Sequence, residues 1–361
     1  MKIAILTLRV DNNYGGHLQR YALSRVLRDM GHDVSVLYFR STWVNDFVKK
    51  RIKVAAKNLV KALLGRKHNP VLYWKHEDAQ WEVIRAHAYP FFERYVKHSS
   101  LIYDGASLKQ VVAEGEYDAF VVGSDQVWRK RYTERWGVTH FFLDFAQTGA
   151  KKIAYAASFG LPEMEYNEQE LKLLGELYKQ FDAVSVREES GLDILKRHGW
   201  TKPQAELVLD PTMLLPKEHY LELIKNGNTH PSKGNMFCYV LDRNEEHVEL
   251  VRKIASVRKL APFYASIDGD VRMSVEQWLR SFADAEYVVT NSYHGLVFSL
   301  IFNKPFYLVE NKERGNARFA SMMKLFGIVS ENNEPDWKQV NKQMEEWRTL
   351  SLRFIESALT K

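Results

Sequence analysis

The residues best suited to chemistry are a histidine, an arginine and an aspartate, each placed where a strand gives way to a turn or helix. His294 lies in TNSYHGLVFSLIFNKPF, where 287–289 read as an apolar strand and 293–301 as a short helix that is apolar nearly all round. Asn291 or Ser292 can cap that helix by accepting a bond from a free backbone N–H. A helix N-terminus carries unpaired donors and partial positive charge. A histidine there gains little from the helix but is well set beside an anionic ligand; local packing or capping is the plainer alternative. Arg187 follows the strand at 182–186 and opens a helix over 188–198. A cation in a first turn is unfavourable unless an anion is present, whereas Glu188 and Glu189 suit that turn. The Arg187 fork can hold a carboxylate or phosphate through two bonds, or can form a salt bridge to a nearby carboxylate. Asp125 ends the strand at 117–122 in GSDQVW, where Gly123 permits close approach and an N-cap role is the alternative.

These residues need a scaffold that gathers strand ends. Residues 2–8 read as a buried strand, DNNYGG at 11–16 as a turn, 18–30 as a helix stopped by Gly31, and 33–39 as a second strand. That is a βαβ unit with parallel strands and a right-handed crossover. Its turn sits at the C-terminal end of the first strand, where open α/β sheets hold ligands, though it is not a dinucleotide fingerprint. Further strands are expected at 140–145, 152–156, 206–209, 236–241 and 262–265, with 129–137 as a charged loop. Helices are expected at 77–97, 168–178, 246–257, 275–282 and 337–359. Strands alternate with helices in both halves, so the fold class is α/β, with two Rossmann-like domains facing a cleft. The N-terminal domain is expected over 1–205 with a helical insertion at about 44–97, the C-terminal domain over 206–330, and a helical tail over 331–361. Asp210-Pro211 reads as a turn after a strand.

Composition narrows the function classes. The 361 residues are 45% hydrophobic, enough for two cores, and carry 51 basic against 45 acidic side chains, a net charge of +6. The excess is small and local. Residues 47–76 contain no acidic residue, and 48–67 form a basic amphipathic pattern that suits an anionic membrane surface or lipid diphosphate, or a solvated helix. No zinc-finger spacing, aromatic RNA-binding pattern or recognition helix points to nucleic acid. The single cysteine, Cys238, lies in an apolar run and reads as core. The N-terminus lacks a signal-peptide pattern and no run is long enough to span a membrane, so a cytoplasmic location is expected, with peripheral contact at the membrane's inner face through the basic helix.

The motif at 290–306 resembles the C-terminal signature of the polysaccharide pyruvyl transferase family, [DN]S[FY]HG followed by an apolar helix and a KPF-like strand. In the same order along 1–325 the chain also matches NNYGGHLQRYAL, YDAFVVGSDQVW, AYAASFG, SVREESG and LDPTMLL. The resemblance implies a GT-B-like arrangement and transfer of pyruvate from phosphoenolpyruvate to two hydroxyls of a sugar, giving a cyclic ketal. The acceptor would be a cell-surface polysaccharide (exopolysaccharide, capsule or O-antigen) or its lipid-linked precursor, with no cofactor or metal required. Arg187 and His294 occupy the family's SxRE and HG positions, and Ser292 with Gly295 would complete a donor pocket. His294 would be a general acid or a phosphate ligand. Lys312, Arg314 and Arg318 resemble the basic segment after the HG motif and would supply a donor-side cation. Asp125 would be the base or bind sugar hydroxyls; Trp128, Asn13, Tyr14, Gly15 and Gln19 would line the acceptor side. A GT-B-like glycosyltransferase using a nucleotide sugar and a non-catalytic glycan-binding protein are the alternatives.

Overall fold

The computed structural model describes residues 1–39, 82–241, 244–265, 272–309, 317–328 and 334–360. The insertion helix expected at 48–67, Lys312 and Arg314 lie outside the described residues.

Two all-parallel sheets form the frame. The first has seven strands in the order β3-β2-β1-β4-β5-β6-β7: β1 Lys2–Leu6, β2 Asp33–Phe39, β3 His98–Ile102, β4 Ala119–Asp125, β5 Lys151–Ala157, β6 Ala183–Val186 and β7 Ala205–Leu207. The second has four in the order β11-β10-β8-β9: β8 Met236–Tyr239, β9 Pro262–Tyr264, β10 Tyr287–Thr290 and β11 Phe306–Leu308. The central strands KIAIL, AFVVGSD and YVVT are buried almost throughout, as parallel strands covered on both faces must be. The helices named below are α1 Tyr14–Asp29, α2 Lys217–Asn226, α3 Val275–Asp284, α4 Tyr293–Ile301, α5 Ala317–Leu325 and α6 Trp337–Thr360.

Several local expectations are corrected. Residues 140–145 are not a strand: Val138–Phe142 form a 3-10 turn bracketed by Gly137 and Leu143, both at positive φ, and Phe142 stacks on Trp128. The aromatic run is buried by ring packing instead of by a ladder. The 129–137 segment holds a helical turn at Lys130–Thr133 and a 3-10 turn at Glu134–Trp136. In the 77–97 region, helix Tyr89–Tyr95 stops at extended Val96 and leads into β3. The domain boundary also moves: β7 pairs with β6 in the first sheet, so that domain extends past residue 205.

The tail is part of the first domain. Helix α6 crosses back to the first sheet, where Ser351 Oγ accepts from Leu209 N at 2.9 Å and Arg348 Nε donates to Met213 O at 3.0 Å. Ile355 and Leu359 meet Leu23, Leu27, Val121, Ile153 and Tyr155. The two domains touch through aromatic rings: Tyr14 on α1 stacks on Trp278 of α3, 5.5 Å between centroids and 14° between planes, and its hydroxyl accepts from Met273 N at 3.1 Å. Stacking adds about 0.5–1.5 kcal/mol to the area these rings bury.

Candidate active site

The C-terminal ends of β4, β6 and β10 converge. Helix α4 starts directly after β10, and Ser292 caps it, its Oγ accepting from Gly295 N at 3.4 Å. Gly295 is required by close approach: a Cβ there would lie 2.9 Å from the Thr290 Cβ. This start places Tyr293 and His294 against the first domain. Gly15, in the first turn of α1, lies under the imidazole, and a Cβ on it would come within 2.6 Å of the His294 Cβ and closer still to the ring.

Arg187, just past β6, is the centre of the cluster, with a side chain of 0% exposure. Its Nη2 donates to Asp125 Oδ1 at 2.8 Å and its Nη1 to Asp210 Oδ2 at 2.6 Å. Its guanidinium carbon lies 4.3 Å from the centroid of the Tyr293 ring, and Glu188 Oε2 is 3.6 Å from its Nε. Arg318, from α5, is buried on the same ring at 5.5 Å. Asp210 joins the halves. Its Oδ1 accepts from Thr212 N at 3.1 Å and Thr212 Oγ1 at 2.7 Å, and its Oδ2 faces Ser124 Oγ at 3.3 Å and His294 Nε2 at 3.7 Å. The last distance is an electrostatic contact, too long for a hydrogen bond.

The charges are strongly perturbed. Burial opposes ionisation of Asp125, but Arg187 and His294 outweigh it and hold the carboxyl below its ordinary value. Burial is likewise outweighed at Asp210 by His294, Arg187 and Thr212, which hold it well below the carboxylate range. Burial would lower Arg187, yet Asp125, Tyr293, Asp210 and Glu188 raise it. Arg318 is lowered by burial and by Arg187. Burial raises Tyr293 and Glu188 against the pull of Arg187. His294 Nε2, the Tyr293 hydroxyl, Arg187 Nε, Glu188 Oε2 and Asn291 Nδ2 are all buried without hydrogen-bond partners. Such a concentration of orphaned polar atoms marks a place for a polar ligand or water.

The structure brings together Asp125, Arg187, Ser292, His294, Gly295 and Gly15, but redistributes several roles. Arg187 does not present an open fork, because two carboxylates occupy it. Asp125 sits in that ion cluster at φ 74°, not on a separate acceptor side. Asp210 is more than a turn residue. Trp128 is no sugar platform: it is 1% exposed and its Nε1 donates to Phe141 O at 3.0 Å. Gln19 is no acceptor ligand either, since its amide donates to Thr7 Oγ1 and Gly16 O and accepts from Ser124 N. Asn13 caps α1 by accepting from Gly16 N, and Tyr14 braces the domains. The sequence reading passed over Glu188 and Tyr293 as functional groups, although adjacency to Arg187 and His294 was the available signal. Among the described residues, no group of three or more His, Cys, Asp or Glu is arranged to hold a metal ion. Among the same residues, no helix is long and apolar enough to cross a membrane.

Known proteins share this frame. The UDP-GlcNAc 2-epimerase of Methanocaldococcus jannaschii, solved with UDP-GlcNAc and UDP, is 14% identical, covers 100% of this chain and 99% of its own, and has a TM-score of 0.50. The UDP-GlcNAc 2-epimerase of Neisseria meningitidis, bound to UDP-GlcNAc, is 9% identical over 98% of this chain and 94% of its own, with a TM-score of 0.49. At 14% identity the likeness to the first of these is one of fold: α/β, two Rossmann-like domains facing a cleft, GT-B-like, with a C-terminal helix. No curated protein matches the chain. The sequence model of polysaccharide pyruvyl transferase matches residues 13–313, which include β4, β6, Asp210 and the α4 start. The chain therefore belongs to the polysaccharide pyruvyl transferase family.

Proposed function

We propose that the protein transfers pyruvate from phosphoenolpyruvate to two hydroxyls of a sugar, forming a cyclic ketal on a cell-surface polysaccharide or its lipid-linked precursor. The observation that carries this reading is the set of buried, unpartnered polar atoms of His294, Tyr293 and Asn291 at the start of α4, beside two buried arginines. Donors, cations and a helix N-terminus together suit a small anion bearing a carboxylate and a phosphate.

In this reading His294 delivers the proton to the methylene carbon as a sugar oxygen bonds to the adjacent carbon. Arg318 and the N–H groups near Gly295 hold the donor. Arg187 acts mainly by fixing Asp125 and Asp210, so its effect on the donor is electrostatic. Lys312 and Arg314 would add donor-side charge and the 48–67 segment would meet an anionic membrane surface, where the enzyme acts on the cytoplasmic side without organic cofactor or metal. Sedimentation with anionic liposomes at low salt tests the membrane step, and absence of binding removes it.

The direct test is ligand-induced thermal stabilisation, since a ligand that prefers the folded state raises its melting temperature. Phosphoenolpyruvate is expected to shift the wild type, and His294→Ala to abolish the shift. A shift with UDP-sugars but not phosphoenolpyruvate would overturn the reading in favour of glycosyl transfer.

A further inference from the structure

Three buried carboxyl groups surround Arg187, and they are not equivalent. Asp125 and Asp210 each take a guanidinium N–H, at 2.8 and 2.6 Å, and Asp210 is also pinned by Thr212. Both are committed to one geometry and both are held ionised. Glu188 is 2% exposed, its Oε2 has no hydrogen-bond partner and lies 3.6 Å from Arg187 Nε, and its hydrogen-bonding neighbour is the Ser158 hydroxyl. The groups facing Glu188 come from every side of the site: Arg187 beside it, Ser158 after β5, Asp125 at the end of β4, Arg318 on α5 and Tyr293 on α4. Burial raises its proton affinity despite the two arginines, opposite to the shift at Asp125 and Asp210. Carboxyls driven apart in this way divide into charge-holding and proton-exchanging groups.

We infer that Glu188 is the proton-exchanging carboxyl of this site, the base that takes the proton of the attacking sugar hydroxyl. This assignment rests on the phosphoenolpyruvate reading. The hydroxyl oxygen forms a bond to C2 of the donor while the C2–C3 electron pair accepts a proton at C3 from His294. The hydroxyl proton passes to Glu188. The second hydroxyl then bonds to C2 as the C2–O bond to phosphate breaks. Phosphate leaves with that electron pair and takes the proton from Glu188, and the second hydroxyl's proton restores His294. Donor and diol become ketal and inorganic phosphate, with no oxidant, reductant or further reactant.

The test uses the full chain and Glu188→Gln, which keeps the shape and removes the exchangeable proton. Phosphoenolpyruvate is titrated calorimetrically near pH 7.5 in buffers of different ionisation enthalpy, which reports protons taken up on binding. Glu188 must stay ionised in the donor complex to accept the hydroxyl proton, so Glu188→Gln is expected to match wild type in proton uptake while binding the anionic donor at least as tightly. Proton uptake in wild type that Glu188→Gln lacks, or loss of donor affinity in Glu188→Gln, overturns the assignment. No heat with wild type overturns the donor reading itself. Phosphate release is then followed on a panel of p-nitrophenyl glycosides. On any glycoside that wild type pyruvylates, Glu188→Gln should fall about 10²–10⁴-fold and Glu188→Asp should recover part of the rate. Equal rates would again overturn the base role. The melting temperature at neutral pH should be unchanged or higher in Glu188→Gln, which separates lost proton transfer from lost folding.

Discussion

Arg187→Ala should cost the fold more than it costs any single ligand contact. The substitution removes a guanidinium of 0% side-chain exposure and strands Asp125 and Asp210, both buried. Breaking a buried ion pair by deleting one partner typically costs about 3–5 kcal/mol, because the remaining charge cannot be resolvated. For a folding unit of this size each kcal/mol moves the melting temperature by about 2–4 °C, so a drop on the order of 10 °C is expected at pH 7.5. The pH dependence gives the cause. Asp125 and Asp210 have depressed values in the folded wild type, so their stabilisation is fully present above the ordinary carboxylate pKa of about 3.9 and is lost only as pH falls below it, through the lower folded values. In the variant the same carboxyls, buried without a cation, are shifted up instead and protonate as pH falls toward 4, so the gap should be wide at pH 7.5 and narrow toward pH 4. Urea unfolding at both pH values measures it. A gap under about 1 kcal/mol at pH 7.5, or one that does not change with pH, would refute the reasoning. A practical corollary is that loss of donor binding in Arg187→Ala is no proof of direct contact. Adding Asp125→Asn should restore part of the stability.

Other expectations follow from single contacts. Gly15→Ala must push His294 or α1 by about 1 Å to restore ordinary carbon contact from 2.6 Å, and a displacement of that size costs on the order of 10²-fold in rate. Steady-state pyruvylation with circular dichroism as a folding control checks it, and an unaffected rate would mean the imidazole can move freely. Trp128→Ala should destabilise by about 3–5 kcal/mol through lost core packing and leave the acceptor KM of the folded fraction unchanged. A raised KM with intact stability would return Trp128 to a sugar-contacting role. Tyr14→Phe removes the hydroxyl that accepts from Met273 N and should cost about 1 kcal/mol by thermal unfolding, while Tyr14→Ala also loses the Trp278 stack and should cost more.

Strands were legible wherever they are continuous apolar runs, as in KIAIL and AFVV, because burial on both faces leaves no polar alternation. The strand in HSSLI was not legible. That edge strand, β3, is mostly half-exposed and carries a register shift against β2, so its pattern resembles a loop. FFLDF misled in the opposite direction: aromatic residues suit strands, but Gly137 and Leu143 at positive φ turn the chain back on itself. Arg187 and His294 were readable because each opens a helix after a strand. The partners of Arg187 were not, since Asp125 and Asp210 lie 62 and 23 residues away and only the sheet brings them together. Gln19 and Trp128 were read as ligand-facing because polar and aromatic side chains near strand ends often are. Here the amide braces the Ser124 turn and the indole fills the core. Glu188 carries no local mark beyond its neighbour; its burial beside Arg187 is a tertiary property.

The return of α6 to the first sheet means that the chain passes between the domains twice, once near Asp210 and once before Trp337. A single tether would leave the second domain free to swivel. Two tethers confine it to something like a door on a pair of pins, turning about the line that joins the crossings. Asp210 lies on one of those crossings and contacts both Arg187 and His294. The same architecture makes the first domain incomplete as a fragment. Cutting the chain ahead of α6 would bare Leu23, Leu27, Val121 and Ile153, a sticky apolar strip, so a piece ending near residue 215 should aggregate when expressed alone.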